Sequence, residues 1–377
     1  MKNKAISFFL CMTMMMTLTV GCGSGQDGSS GENAAAGAED QAAADDGGNA
    51  DASEEEASAE KSGEASAEEP GEESGNDYEL VTITLNLERS GLGENVEYTF
   101  TEIPNKVVAS GDQMADFFFD LGLEEYMAGY TKGSAWSLVS DFPARDQVPQ
   151  LAEPGVGLST LSKEELLATG CDFLIGWDSV FSDRAFDPDF CNENGIAMYF
   201  PYVCSDSATF EDLYKDYETL GKIFKVEDVA AEKIQTMKDR VQKVQDTLGE
   251  EVYQDPVSVF VYDSGEDAPF TACQGMPGDI IRLTGGESIF SDIEAGWATP
   301  SWEEVVERDP DVILVLDYNG DVEEKVEFLK NNDATKDLRA VKEGKIYSAC
   351  CADMQGSADS AHTVEIIAQQ LYPDLFA

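Results

Sequence analysis

The sequence predicts an α/β fold of two small α/β lobes joined by a single long helix. Short β-rich runs alternate with helical patterns along most of the chain, the pattern of α/β architecture. One helical stripe, Val229, Ile234, Met237, Val241, Val244 and Leu248, runs through the middle with charged residues between its members. Strand-rich sequence lies on both sides of it.

The first residues stand apart from the fold. Lys2 and Lys4 precede an apolar, Met-rich stretch from Ala5 to Val20 that stops at Gly21-Cys22. It is short for a membrane span, so residues 1–21 read as a secretory signal peptide. Leu18-Thr19-Val20-Gly21-Cys22 resembles a bacterial lipobox, with Thr19 where Leu is usual, and marks Cys22 as a lipidation site. Ordinary secretion with Cys22 as a bystander is the alternative. Between Cys22 and Tyr78 there is not one aromatic, Leu, Ile or Val. Such chain cannot bury enough apolar surface to offset its ordering entropy. Its like charges extend it, so residues 22–77 read as a lipidated Cys and a disordered acidic tether.

About 300 residues remain, enough for two lobes. Residues 78–226 read as the N-terminal lobe. Lys106-Val107-Val108-Ala109 is a short strand, and Ser110-Gly111-Asp112 a turn and helix cap. Met114, Phe117, Phe118 and Leu121 then fall on one helix face, which Gly122 ends. Phe173 to Gly176 and Met198 to Phe200 are further strands, and Phe210 to Phe224 a helix. Residues 227–249 form the interlobe helix. About 20 helical residues span about 30 Å, enough for a strut between lobes; a surface helix packed on one lobe is the plainer alternative. In the C-terminal lobe, residues 250–377, strands are expected at Val257 to Tyr262, Val312 to Leu316 and Lys345 to Ser348.

An internal repeat links the halves. Ser162-Lys163-Glu164-Glu165-Leu166-Leu167, running on to Cys171-Asp172-Phe173-Leu174-Ile175, aligns without a gap with Ser301-Trp302-Glu303-Glu304-Val305-Val306, running on to Pro310-Asp311-Val312-Ile313-Leu314. Each begins with S-x-x-E, a capping box at the start of a short helix that leads into a buried strand. Glu165 and Glu304 reach back to the caps, leaving Glu164 and Glu303 to point outward. They either dock a two-fold partner or simply complement the helix dipole.

Composition excludes several functions. The net charge is −51 and no basic patch is visible, so nucleic acid is not expected as a partner. No zinc spacing joins Cys171, Cys191, Cys204, Cys273, Cys350 and Cys351, which are expected to be mostly free, partly buried thiols; a disulfide between distant members stays open. His362, the only histidine, falls on the polar side of a C-terminal helix and lacks any triad motif around it. No metal site, resident cofactor or catalytic residue is expected, although composition never excludes paired carboxylates.

Ile103 to Val108, the Ala-Asp-aromatic helix after it and Leu121-Gly122 resemble the opening of the substrate-binding proteins of iron-siderophore and cobalamin ABC importers. So do Leu166 to Trp177, Thr284 to Phe290, Asp309 to Leu314 and Ala340 to Tyr347. The resemblance covers about residues 101–377. It implies a monomeric, non-enzymatic subunit, lipid-anchored on the extracytoplasmic face of the cell membrane. Its partners would be a small molecule held between the lobes, an iron chelate or corrinoid, and the permease subunits. It also implies that Glu164 and Glu303 meet Arg residues of the permease. Neither acid is expected to touch the ligand, because the strands they precede carry the pocket at their opposite ends. Gly176 to Ser182, Thr209 to Asp212 and Trp297 to Glu303 resemble a subgroup assigned to import of a deazaflavin cofactor precursor. That ligand, haem or another metal complex is the alternative, and a cell-surface enzyme or adhesion lipoprotein the remaining one.

In open α/β sheets ligands meet the loops at the carboxyl ends of strands. Those loops offer Ser110, Asp112, Gln113, Lys132 and Trp136, then Trp177, Phe181, Arg184 and Tyr202, in the first lobe. The second offers Tyr262, Gln274, Met276, Trp297, Tyr318 and Met354. The tryptophans among them suit a large, flat, partly apolar ligand. Anionic chelates want several Arg or Lys, and only Lys132 and Arg184 are expected at the cleft, with Arg282 on a helix away from it. A near-neutral hydroxamate chelate or a corrinoid fits better.

If Cys22 carries the lipid, Cys22→Ser releases the protein into the medium or leaves an unprocessed precursor, and metabolic labelling with a fatty acid disappears. Equal labelling of both forms would sink the assignment.

Overall fold

The computed structural model describes residues 78–85, 96–133, 142–155, 161–182, 185–318 and 320–377. The segments expected to be a signal peptide and a tether lie outside the described residues, as do Cys22, Trp136 and Arg184.

The chain opens with β1 (Val81–Leu85) and β2 (Val96–Phe100), an antiparallel pair. There follow β3 (Val107–Ser110), α1 (Asp112–Asp120), β4 (Met127–Gly133), β5 (Gln150–Gly155), α2 (Lys163–Ala168), β6 (Phe173–Ile175), α3 (Pro188–Glu193) and β7 (Ala197–Tyr199). The last five strands form one parallel sheet in the order β5-β4-β3-β6-β7. β3, β6 and β7 are buried along their whole length, as expected where helices cover both faces of a parallel sheet. The apolar face of α1 packs there: Phe118 meets Phe173 and Phe224 edge-on.

α4 (Phe210–Phe224) and α5 (Glu227–Leu248) follow, joined through Lys225 in the left-handed conformation. The buried stripe of α5 is Ala230, Ile234, Met237, Val241, Val244 and Leu248. Val229, expected in that stripe, is exposed. The alternating spacing of four and three passes through Ala230, and its neighbour is turned about 100° away. The first half of α5 is tied by Lys233 to Asp120 of α1 (2.6 Å).

The second sheet begins with β8 (Val257–Ser264) and β9 (Phe270–Ala272), then α6 (Gly275–Leu283), β10 (Gly286–Ser288), β11 (Trp297–Ala298), α7 (Trp302–Arg308) and β12 (Val312–Asp317). The chain closes with α8 (Val322–Asn331), α9 (Arg339–Glu343), β13 (Ile346–Cys350), α10 (Cys351–Met354) and α11 (Ser360–Leu371). Sheet order is β11-β9-β8-β12-β13, with β10 pairing β8 beside β9. The second half of α5 meets this part of the chain: Arg240 pairs with Glu365 of α11 (2.9 Å) and lies 3.1 Å from His362 Nδ1. The long helix therefore joins the two sheets. None of the described helices is long and apolar enough to cross a membrane.

The internal repeat has the same structural meaning in both lobes. β6 lies beside β3, the first strand of its sheet, and β12 beside β8, the first of the other. Ser162 and Ser301 cap α2 and α7, each with a complete capping box closed by Glu165 or Glu304. Asp172 takes the backbone N–H of Lys106 (2.8 Å), and Asp311 that of Ser258 (3.1 Å), clamping the amino end of the central strand to its neighbour.

The lobes touch directly. Val203 to Asp206, after β7, lie against Gly275, Gly296 and Gly356. Gln113 Nε2 donates across the gap to the carbonyls of Gln355 (2.9 Å) and Gly356 (2.7 Å). Beside it, Arg145 binds Asp116 and lies 3.4 Å from Asp112, all three being largely buried. Asp353 of the other lobe accepts from Ser357 Oγ (2.6 Å). Burial raises the Asp116 carboxyl to about 7, with the charges of Asp112 and Asp353 adding to the rise and Arg145 opposing it. Burial likewise raises Asp353 to about 6, helped by Asp359.

Both folded values lie above that of an unfolded Asp, so the folded state holds the extra protons and stability falls as pH rises from about 4 to about 7. Thermal unfolding midpoints across that range should fall more steeply for the wild type than for Asp116→Asn combined with Asp353→Asn. Each pKa unit is worth roughly 1.4 kcal/mol before water penetration reduces it. Parallel profiles would refute the assignment of these two acids.

Candidate functional site

Where the lobes meet, Trp177 and residues 203–206 face Gln274 to Pro277, Gly296, Trp297 and Gln355 across a slot of about 30 Å³. That is about the share of one water in the liquid. It is the floor of the cleft, and each wall brings one half-buried tryptophan to it. Trp177 follows β6 after Gly176. Trp297 lies in β11, stacked on Phe270 with centroids 5.2 Å apart and planes 17° from parallel.

Of the residues expected at the ligand, Trp177, Gln274, Met276 and Trp297 are brought together on this slot. Gln113 reaches it by bonding the Gln355 carbonyl, and its own Oε1 is buried without a partner. Ser110 ends β3, buried next to Gly176. Asp112 is engaged by Arg145. Lys132 is half-buried near the carboxyl end of β4, and Met354 is fully buried. Tyr318 gives its hydroxyl to Asp263, and burial holds its pKa far above the usual range.

Three expectations need correction. Phe181 is fully buried in the core of the first lobe. Tyr262 packs among Phe260, Trp302 and Phe328 in the core of the second, donating its hydroxyl to Gly265 O (3.3 Å). Tyr202 turns to α4, where Lys215 Nζ sits 3.5 Å from its ring centroid. An aromatic near the carboxyl end of a strand or just beyond it can serve the layer beneath as readily as the cleft, and the sequence does not separate the two. Cys204, Asp206, Gln355 and Arg145 were not anticipated, since none lies in a periodic pattern. Arg145 joins them only through folding: it lies between the rings of Phe119 (4.9 Å) and Tyr130 (5.7 Å), with its Nε buried and unpartnered.

Arg282 lies on α6, largely exposed and paired with Asp279. His362 lies between Arg240 and Glu365, an ion-pair neighbour. The six cysteines expected in the lobes are all free, and all but half-buried Cys350 are buried. Burial pushes Cys171, Cys191, Cys350 and Cys351 up to about 12, so these thiols stay protonated at neutral pH. Among the described residues no three His, Cys, Asp or Glu side chains are grouped to hold a metal ion.

Glu164 and Glu303 are exposed, with no hydrogen-bond or ion-pair partner among the described residues. Their position differs from the expected one. α2 and α7 return the chain to the amino ends of β6 and β12, so their N-termini stand at the carboxyl edge of each sheet. Both acids therefore flank the cleft rim, at the same end as the slot.

Residues 178–349 match the periplasmic binding protein family. The chain is 21% identical over 284 residues to an uncharacterised ABC transporter substrate-binding lipoprotein of Bacillus subtilis, covering 75% of this chain and 84% of that one. It is 23% identical over 216 residues to a vitamin B12-binding protein of Pectobacterium atrosepticum, covering 56% of this chain and 72% of that one. A periplasmic binding protein from Veillonella parvula superposes with a TM-score of 0.70 at 25% identity, covering 78% of this chain and 99% of that one. In fold and in these matches the chain is similar to two-lobed periplasmic binding proteins and to the substrate-binding subunits of ABC importers.

Proposed function

We propose that the protein captures an iron chelate or a corrinoid between its lobes, is held to the membrane by a lipid on Cys22, and hands the ligand to a permease through Glu164 and Glu303. The observation that carries the ligand class is the pair of half-buried tryptophans, one per lobe, at a slot with almost no available cation. Two indole faces suit a broad, partly apolar ligand. Arg145 is already committed to Asp112 and Asp116, so a polyanionic chelate finds little to pair with. The vitamin B12-binding relative supports the corrinoid side of the reading.

Ferric hydroxamates or cobalamins should quench tryptophan emission saturably. Trp177→Ala or Trp297→Ala should each weaken binding by roughly 1–3 kcal/mol if the ring is a stacked anchor. No binding below about millimolar by either class would remove both and bring a deazaflavin-type ligand forward.

Docking has its own test. Glu164→Ala combined with Glu303→Ala should leave ligand affinity and thermal unfolding nearly unchanged, because both side chains are exposed and neither lines the slot. Stimulation of the importer's ATPase should fall by roughly tenfold or more, as when one partner of a desolvated charge pair is lost. Glu165→Ala combined with Glu304→Ala should lower the unfolding midpoint slightly and spare transport, because those acids hold the caps. Normal stimulation by the first pair would defeat the docking assignment.

A further inference from the structure

Six large apolar side chains stand exposed among the described residues, and two of them occupy the same place in the two lobes. Leu167 is 42% exposed and Val306 43%. Leu167 lies three residues after Glu164 on α2, and Val306 three after Glu303 on α7. That spacing puts each apolar side chain beside its carboxylate on one helix face. The residues just before them, Leu166 and Val305, are fully buried and anchor each helix to its lobe. Folding is therefore served without Leu167 or Val306. Singly exposed apolar residues are ordinary; recurrence at equivalent positions, each beside an unpaired carboxylate, is not.

We infer that Leu167 and Val306 are the apolar halves of two matched docking patches, made for the two membrane-embedded subunits of the importer. The inference rests on the docking reading and deepens it. Charge complementarity selects the occupant. A carboxylate beside each apolar side chain asks for a cation beside an apolar surface, and two equivalent patches ask for that arrangement twice. A second copy of this chain would bring acid against acid at a net charge of −51. Residues 23–77, lacking any aromatic, Leu, Ile or Val, have little with which to cover an apolar patch. An anionic lipid surface would be repelled by the same carboxylates.

The test uses the importer reconstituted in proteoliposomes and reads ATPase stimulation against the concentration of this protein. Leu167→Ser combined with Val306→Ser should raise the half-maximal concentration roughly tenfold, and Leu167→Ala with Val306→Ala by less. Leu80→Ser combined with Leu375→Ser, which removes two other exposed apolar side chains, should leave it unchanged. Thermal unfolding and tryptophan emission should match the wild type in every case. If the patch variants stimulate like the wild type while Glu164→Ala with Glu303→Ala does not, this inference fails and the docking reading stands. If the glutamate pair also stimulates normally, the docking reading fails with it. An equal rise for the Leu80 and Leu375 variant would mean unspecific apolar contact and would also overturn the inference.

Discussion

The seating of Val203 to Asp206 on three glycines of the other lobe is the contact on which the cleft depends. A methyl group at Gly356 would fall 2.1 Å from Val203 Cγ2, and one at Gly296 2.8 Å from Asp206 Oδ1. A side chain at either position would force its neighbour to shift, and Gly356, at φ 91°, is also in the left-handed region where L-residues are strained. Interiors of this density do not deform smoothly. With the lobes in direct contact here and bridged by α5, this seating sets the spacing of the two walls at the floor of the cleft. Trp177 and Trp297 meet on one slot where the lobes touch, and Gln113 reaches two carbonyls of the opposite lobe there.

The two walls are built by the same local instructions given twice. A serine caps a short helix, a glutamate three residues on closes the box, and an aspartate clamps the following strand to the centre of its sheet. Backbone N–H of the cap residue holds Glu165 and Glu304 below the usual carboxylate range, with the serine hydroxyl adding to it. The second residue of each helix is then left over. Because the helix runs back from the carboxyl edge of its sheet, Glu164 and Glu303 stand at the rim. Fold repetition alone thus produces a matched pair of surface acids, and function could be added to it without new architecture.

Much of this was legible in the sequence where one local rule suffices. Strands at Val107, Phe173, Val257 and Val312 are near-continuous apolar runs, and capping boxes need only four residues of context. The long helix was readable as a helix, though Ala230 rather than Val229 belongs to its buried stripe; a small residue carries little weight in a hydrophobic pattern. The site was less legible because it is made by contacts between distant segments. Gln113 with Gly356, and Asp116 with Arg145, are separated by too much chain for any motif. Tyr262 and Phe181 had the right residue type and the right place in the chain, yet both packed inward. Which way an aromatic near the end of a strand turns is decided by the layer beneath it.

Charge ties the proposed ligand to the proposed partner. The chain is strongly acidic, and carboxylates of Asp112, Asp116 and Asp353 lie at or near the lobe interface, with Arg145 consumed in offsetting two of them. An anionic ligand would enter against this field, with Lys132 the cation expected to meet it among the described residues. Stacking between indole rings needs no charge on the ligand. A near-neutral ligand is therefore the kind such a cleft can hold while the rest of the surface stays acidic. That same acidity favours an encounter with cationic groups on a membrane subunit. On this reading one charge balance serves both steps: it disfavours polyanions in the cleft and leaves Glu164 and Glu303 unneutralised at its rim.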